Sequence, residues 1–253
     1  NRFALLDAKF GVSNYRADSA GFYLARETSD KADVIKITAS DEYYFAYGLS
    51  GKDYMEGETG RLLRGEQGML SVTGKRALND PMLLFGASRM MELDMRGAAS
   101  HLLNGLELNN CAALRKLDLS VADGSEASVT TWWLVTGGCG QLREVNLKGQ
   151  TNARSNRQDS TVLDFGSQTL LEKLDARGTT VKSVTVAKGA PLKELRLPGT
   201  LTTLRLEYLP KLTAEGLEME SCENVATFIF DSCPGLDWKE IYAQCPNVRT
   251  LRV

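Results

Sequence analysis

Apolar residues recur along the chain in a short pattern, apolar-x-x-apolar-x-apolar, which is dense after residue 85. Alternation over the last two apolar positions predicts short strands that bury one face. Clear copies begin at Met90, Leu103, Leu114, Leu142, Val181, Leu192, Leu201, Val225 and Val248, and weaker ones lie at Leu171 and Leu163. So many copies of one pattern indicate a repeat architecture.

The spacing of the copies predicts two strands in each coil. Neighbouring copies lie about ten residues apart, which is too short for a coil of roughly 20–29 residues. Alternate copies form one series that begins at residues 171, 192, 214 and 236. The interleaved series begins at residues 160, 181, 201, 225 and 248, and the steps in both series run from 20 to 24 residues. We therefore expect a flattened solenoid with one strand series on each side.

Longer steps in the first half of the repeat region indicate insertions. Copies that begin at residues 90, 114, 142 and 171 are separated by 24, 28 and 29 residues. We interpret 128–138 as a helical insertion and 151–160 as a polar loop. A further helix is predicted over 237–244, with Asp237 as its N-cap. The junction at 79–88 is interpreted as a short helix.

The first 80 residues do not repeat, and they contain six of the eight tyrosines. Alternating stretches such as "ADVIKITA" are bounded by Gly and Asp, which is typical of strands and turns. We predict a small β-rich N-terminal domain or cap at 1–80, because a solenoid needs its terminal coil covered. The solenoid is predicted over 81–253, in six or seven coils.

Two segments resemble known leucine-rich repeats. "VATFIFDSCPGLDWKEIYAQCPNVRTLRV" is similar to a cysteine-containing leucine-rich repeat, with a strand, a cysteine, a helix and a second cysteine. "LPGTLTTLRLEYLPKLT" resembles the irregular leucine-rich repeats in surface proteins of gut Bacteroidales and in their phages. The resemblance covers about 85–253, although repeat length varies and the asparagine ladder of regular repeats is mostly absent. It implies an irregular leucine-rich-repeat solenoid in a bacterial surface protein or a phage virion component.

All five cysteines stand three residues before an apolar position that starts a repeat. They are Cys111, Cys139, Cys222, Cys233 and Cys245. A free cysteine behaves as a small buried hydrophobe, which suits a corner where a loop turns into a strand. Disulfides between adjacent coils, such as Cys111 with Cys139 or Cys222 with Cys245, are the alternative. A catalytic thiol is disfavoured, because it needs a nearby base.

The remaining candidate chemistry is weak, so we expect neither an enzyme nor a cofactor or metal site. His101 is the single histidine and is interpreted as a loop residue at a repeat corner. Glycine-rich stretches such as 137–140 do not match the phosphate-binding loops. A formal net charge of −2 gives no indication of a nucleic-acid partner. No apolar run approaches the roughly 18 residues of a membrane span.

Charges on the outward positions of the first series alternate in sign. They read Glu92, Lys116, Glu144, Lys173 and Glu194. Stacked in register, these residues would form a self-neutralising, soluble face. The alternative is a charged recognition strip for a protein partner.

The outward positions of the second series are rich in threonine and lightly charged. This face is our candidate interaction surface, because burying it would cost less desolvation of charge. Its residues are Thr185, Thr203, Arg205, Thr227, Ile229, Thr250 and Arg252. The tryptophans Trp132, Trp133 and Trp238 lie in the predicted helical segments, where they pack onto the solenoid or serve as exposed contact anchors.

These patterns predict a non-enzymatic protein–protein interaction or structural module within a larger cell-surface or phage-virion assembly. A protein partner or other subunits of the assembly are the expected partners. A glycan-binding adhesin is the alternative, through the tyrosine-rich N-terminal region or the tryptophans. The chain starts at Asn1, so we expect a fragment or a processed form. Localisation is left open, because unpaired cysteines also fit the cytoplasm.

Overall fold

The two strand series of the sequence form two sides of a parallel β-solenoid. We describe the fold from a computed structural model. It describes residues 15–18, 21–26, 33–39, 44–47, 61–64, 69–73, 82–85, 91–94, 96, 105–108, 111–121, 132–155 and 159–253. These residues are rich in β-structure, contain little helix and include a solenoid of about six turns.

The strands are short, as expected for coils that turn every few residues. In chain order they are β1 (Tyr15–Asp18), β2 (Gly21–Arg26), β3 (Asp33–Ala39), β4 (Tyr44–Tyr47), β5 (Arg61–Arg64), β6 (Met69–Thr73), β7 (Met82–Phe85), β8 (Glu92–Asp94), β9 (Gly105–Leu108), β10 (Lys116–Asp118), β11 (Trp132–Val135), β12 (Glu144–Asn146), β13 (Ala153–Arg154), β14 (Val162–Phe165), β15 (Lys173–Asp175), β16 (Ser183–Val186), β17 (Glu194–Leu197), β18 (Thr203–Glu207), β19 (Leu217–Met219), β20 (Thr227–Asp231) and β21 (Thr250–Arg252). Helix α1 spans Trp238–Ala243, and a 3-10 turn spans Ala214–Gly216.

One side of the solenoid is a sheet with the strand order β1-β2-β3-β6-β8-β10-β12-β15-β17-β19. Pairing is antiparallel from β1 to β6 and parallel from β6 onwards. The inward residues Leu117, Val145 and Leu174 are buried and pack coil on coil. Lys116 pairs with Glu92 and Glu144 in the neighbouring strands, which confirms the predicted register of the charged column.

The opposite side consists of three sheets among the described strands. Their orders are β13-β11-β9-β7-β4-β5, β14-β16 and β18-β20-β21. Thr203, Thr227 and Thr250 occupy the same register, as do Arg205, Ile229 and Arg252. The predicted alternation of strands between two sides is therefore confirmed, but the second side is interrupted between β13 and β14 and again between β16 and β18.

Each cysteine opens a turn of the same form. The backbone N–H three residues later donates to the cysteine carbonyl, at 3.1–3.4 Å in all five cases. The N–H donors belong to Leu114, Leu142, Val225, Leu236 and Val248. The sequence spacing of the cysteines is thus the spacing of a corner turn.

Side-chain amides perform part of the role of an asparagine ladder. Gln150 Nε2 donates to the carbonyl of Leu119 at 2.7 Å, and Gln168 Nε2 donates to that of Thr136 at 3.0 Å. Asn224 Nδ2 donates to the carbonyl of Gly199 at 3.0 Å. In each case the acceptor lies one coil back, so the amides tie neighbouring coils together.

Two predicted helices are strands in the structure. Trp132–Val135, inside the segment expected to be helical, is β11, and it pairs with β9 and β13. Trp132 and Leu134 are buried while Val135 is exposed, so the period is two rather than 3.6. The apolar run Met82–Phe85 at the expected helical junction is β7. Both runs are four residues long, which is too short for a stable helix but suits a solenoid strand.

The third predicted helix is confirmed. Helix α1 begins after Asp237, whose carboxylate accepts a hydrogen bond from the N–H of Lys239 at 2.8 Å. Ile241 anchors it in the core.

The N-terminal strands share a sheet with the solenoid through the β6–β8 pair. The domain boundary at residue 80 stays a prediction. His101 lies outside the described residues.

Candidate interaction surfaces

The outer face of the first sheet carries ion pairs that run from coil to coil. Glu172 accepts from Arg143 Nη1 at 2.6 Å and from Lys193 Nζ at 2.8 Å. Lys173 Nζ lies 3.2 Å from Glu194, its partner in the neighbouring strand. Hydrogen bonds from Lys193 and Arg143 lower the pKa of Glu172. The carboxylate is therefore held ionised by cations from the coils on both sides.

A second group of ion pairs on this face is centred on Asp175. Arg177 donates to Asp175 through Nε at 3.0 Å and Nη2 at 2.6 Å, and its Nη1 reaches Glu218 at 2.8 Å. Arg196 lies 3.4 Å from Glu218 and 3.6 Å from Asp175. The hydrogen bond to Asp175 raises the pKa of Arg177. Cations and carboxylates are thus matched within this part of the face.

A shallow groove of about 260 Å³ lies above the same strands and is lined by residues such as Lys116, Glu144 and Arg196. Binding a partner there would require breaking or desolvating several of the ion pairs, which offsets the gain from new contacts. The geometry fits the self-neutralising face better than the recognition strip.

The rim of this sheet holds one carboxylate on backbone amides. Glu220 accepts hydrogen bonds from the N–H of Gly178 and of Gly199, each at 3.1 Å. These two glycines belong to successive coils. The carboxylate therefore ties the coils at the rim, as the glutamine and asparagine side chains do elsewhere.

The outer face of β18, β20 and β21 is the smoother surface. Thr203 and Thr227 are half-buried, and Thr250 is exposed. Arg205 and Arg252 are exposed on either side of the half-buried Ile229. Arg205 Nη1 donates to Glu207 at 2.6 Å. All six candidate residues of these strands thus lie together on one face.

Thr185 is the seventh strand residue of the candidate surface. It lies on β16, across the break between β16 and β18 from Arg205. The carbonyl of Lys182 accepts hydrogen bonds from the N–H groups of Thr202 and Thr203, at the start of β18. Beyond this point β16 and β18 are not paired as strands of one sheet. A cavity of about 310 Å³ opens at this point and is lined by residues including Thr185 and Arg205. The surface therefore has a flat part and a cleft.

Sequence reasoning missed three residues beside the cleft. Lys188 Nζ lies 3.2 Å from Glu207 and 4.9 Å from the centre of the Tyr208 ring. Tyr208 has a φ of 53°, a left-handed conformation that is strained for a bulky residue. The N–H of Gly189, in the preceding coil, donates to the carbonyl of Tyr208 at 2.7 Å, and Gly189 also has a positive φ, of 80°. Gly189 in the sequence was the signal that could have identified a tight turn beside the cleft.

The three candidate tryptophans do not form one surface. Trp132 is fully buried in the core, so it offers no contact to a partner. Trp133 is half-buried on β11. Trp238 on α1 lies edge-on to the exposed Tyr242, with ring centres 6.4 Å apart, and Lys239 Nζ is 5.8 Å from its ring. Only Trp238 belongs to an aromatic group at the surface.

All five cysteines are buried and stand outside any disulfide, which confirms that they fill the corners of the coils. Burial raises the pKa of Cys245 to about 12 and also raises that of Cys233. A thiol with a raised pKa forms little of the thiolate that acts as a nucleophile or metal ligand. Reactions of Cys233 and Cys245 as thiolates are therefore slow in the folded chain.

The fold and surfaces define a β-rich protein built on a parallel β-solenoid. None of the helices described is long and apolar enough to cross a membrane. Comparison with protein-family models, curated proteins and solved structures finds no match for the chain. The resemblance to leucine-rich repeats therefore stays a prediction from sequence.

Proposed function

We propose that the chain is a non-enzymatic protein-interaction or structural module, and that it binds through the outer face of β18, β20 and β21. The observation that carries this proposal is the alignment of Thr203, Thr227 and Thr250 in one outward-facing column. An in-register face of short hydroxyl side chains is level and lightly charged. Solenoids bind by such extended surfaces.

The difference between the two sides of the solenoid supports the choice of face. On the first side, Glu172, Asp175 and Glu218 are each held by two cations. A partner there would compete with contacts that the chain already makes. On the second side, Thr227 and Ile229 can be buried without removing an ion from water.

The assembly follows from the sequence resemblance. We propose an irregular leucine-rich-repeat module in a cell-surface or phage-virion assembly, on the strength of the two segments quoted above. That step rests on analogy between sequences and needs its own test. The gene neighbourhood and the full-length chain would supply it, because a tail or capsid cluster favours the virion.

Photo-crosslinking tests the proposed face. A photo-reactive amino acid at Ile229 is compared with one at Lys116, on the first face, in extract from the source cells. A protein captured only from Ile229 is then purified and its affinity measured directly. We expect Ile229→Lys to weaken binding at least about tenfold and Lys116→Glu to leave it unchanged. Capture only from Lys116, or equal affinities of both variants, would contradict the proposal.

A glycan-binding adhesin is the second candidate, and the aromatic group on α1 favours it. Exposed aromatic rings beside polar groups are suited to stacking on sugars, and Tyr242 lies beside Trp238 at the surface. A glycan array decides between the two candidates. Binding that is lost in Tyr242→Ala supports the adhesin, whereas an empty array with retained protein binding removes it.

A further inference from the structure

Two cysteines near the start of the described solenoid are stacked on each other. Cys111 and Cys139 stand at equivalent distances before Lys116 and Glu144, which are register partners in β10 and β12. Their corner turns are the same, with hydrogen bonds of 3.1 Å. The two residues therefore occupy one position in consecutive coils.

The same relationship recurs at the other end. Cys222 and Cys245 stand at equivalent distances before Thr227 and Thr250, which are partners in β20 and β21. Their corner turns have hydrogen bonds of 3.2 and 3.4 Å. A second stacked pair thus joins the last two strands of the second side.

The thiols within each pair contact each other. Cys111 and Cys139 interact through their side chains, as do Cys222 and Cys245. Within the second pair, Cys222 Sγ donates to Met219 Sδ at 3.5 Å and Cys245 Sγ donates to the carbonyl of Ile241 at 3.3 Å. All four are buried, at 0–8% exposure. Strands in one ladder lie about 4.8 Å apart, and disulfides span Cα separations of about 4.4–6.8 Å. The stacking of the coils therefore places the Cα atoms of either pair within the range of a disulfide.

We propose that Cys111–Cys139 and Cys222–Cys245 are oxidative crosslinking sites that join consecutive coils, and that Cys233 stays a thiol. Each linkage forms by exchange with a low-molecular-weight disulfide. Two thiols lose two protons and two electrons to form one S–S bond, and the disulfide reagent is reduced to two thiols. The pairs would act as redox-dependent ties between coils.

The surroundings of Cys233 explain why it is the exception. Its Sγ donates to the carbonyl of Asp231 at 3.3 Å. Its neighbour in the stack is Leu209, which opens the equivalent turn one coil earlier and lies within hydrogen-bond reach through its backbone. Among the residues that the structure describes, no cysteine stacks on it.

The environment also determines when the linkage forms. The interaction with Cys111 and burial raise the pKa of Cys139, so Cys139 holds little thiolate in the folded chain. Exchange therefore proceeds while the chain folds or while the coil that holds the cysteine opens.

Refolding in a glutathione buffer tests the proposal. The denatured, reduced chain is refolded with excess oxidised glutathione, free thiols are alkylated in denaturant, and the peptides are mapped by mass spectrometry. We expect a chain lighter by about four hydrogen atoms, with the two linkages named above and Cys233 alkylated. Its urea midpoint should fall when reductant is added.

Variants sharpen the result. Cys233→Ser should retain both linkages, and Cys222→Ser should leave Cys245 alkylated while Cys111–Cys139 persists. If Cys222→Ser fails to fold, the disulfide map of the unaltered chain still shows whether Cys222 is linked to Cys245. Five alkylated thiols in a chain with native circular dichroism, or a linkage that includes Cys233, would overturn the proposal. A single linkage would overturn it for the other pair.

Discussion

Gly149 and Gly178 lie back to back in successive coils, so that a Cβ on Gly178 would come within 3.0 Å of the Cα and N of Gly149. Both glycines have positive φ, at 81° and 74°. A side chain on Gly178 would meet backbone rather than a flexible group. The two coils can approach this closely because Gly178 has no Cβ.

Gly178→Ala should therefore destabilise the chain. The left-handed conformation costs an alanine about 1–2 kcal/mol, and the close approach adds to that cost. We expect a loss of at least about 2 kcal/mol in urea unfolding. Gly140→Ala is the control, because a Cβ there meets nothing within 4 Å and φ is not positive. Equal losses for the two variants would show that the coils do not stack as described.

Arg154 is a buried cation that holds the loop between β13 and β14. Its Nε donates to the carbonyl of Ser160, one Nη donates to that of Thr151 at 3.2 Å, and the other donates to the Thr180 hydroxyl at 2.8 Å. Burial lowers the pKa of its guanidinium.

Arg154→Met removes all these hydrogen bonds, together with the one that Nη1 donates to the buried carbonyl of Ala153 at 2.7 Å. We expect a loss of about 1–3 kcal/mol in urea unfolding. The exposed Lys182→Met serves as the control and should be nearly neutral. An unchanged midpoint for Arg154→Met would show that the loop is held by other contacts.

The stability of the chain should fall in acid partly because of Glu172. Hydrogen bonds from Lys193 and Arg143 lower its pKa below the ordinary value of 4.5. A lowered folded-state pKa stabilises the fold above pH 4.5, and that contribution is lost as the pH falls through the folded value.

Glu172→Gln should thus unfold more easily than the unaltered chain at neutral pH, and the difference should shrink in acid. Urea unfolding at about pH 7 and about pH 3 measures this. Glu223→Gln, at an exposed position, should show no such pH-dependent difference. A constant difference for Glu172→Gln at both pH values would contradict the assigned ion pairs.

The repeat was predictable because burial enforces a period that can be read from sequence. Leu117, Val145 and Leu174 must each face the core, so their spacing reveals the register of the strands. The cysteine corners were predictable for the same reason. By contrast, four apolar residues such as Trp132–Val135 fit either a strand or a helical turn, and only pairing with β9 and β13 decides between them.

The surface was less predictable, because its contacts join residues that sequence does not relate. The outward columns could be listed, but the break between β16 and β18 could not be read from them. The contacts of Lys188 with Glu207 and Tyr208 cross from one coil to the next. A pattern of apolar residues carries no information about such contacts.

Lys173 lies between Glu144 and Glu194 in the register of the first sheet, and Glu194 raises its pKa most strongly. Lys173→Glu would place like charges at three consecutive positions, and directly opposed like charges are destabilising. We expect a loss of about 0.5–1.5 kcal/mol, smaller at high salt because these side chains are partly exposed. Adding Glu194→Lys should recover part of the loss, whereas Glu223→Lys should not. If Glu194→Lys and Glu223→Lys had equal effects on the Lys173→Glu variant at low salt, Lys173 and Glu194 would not be neighbours.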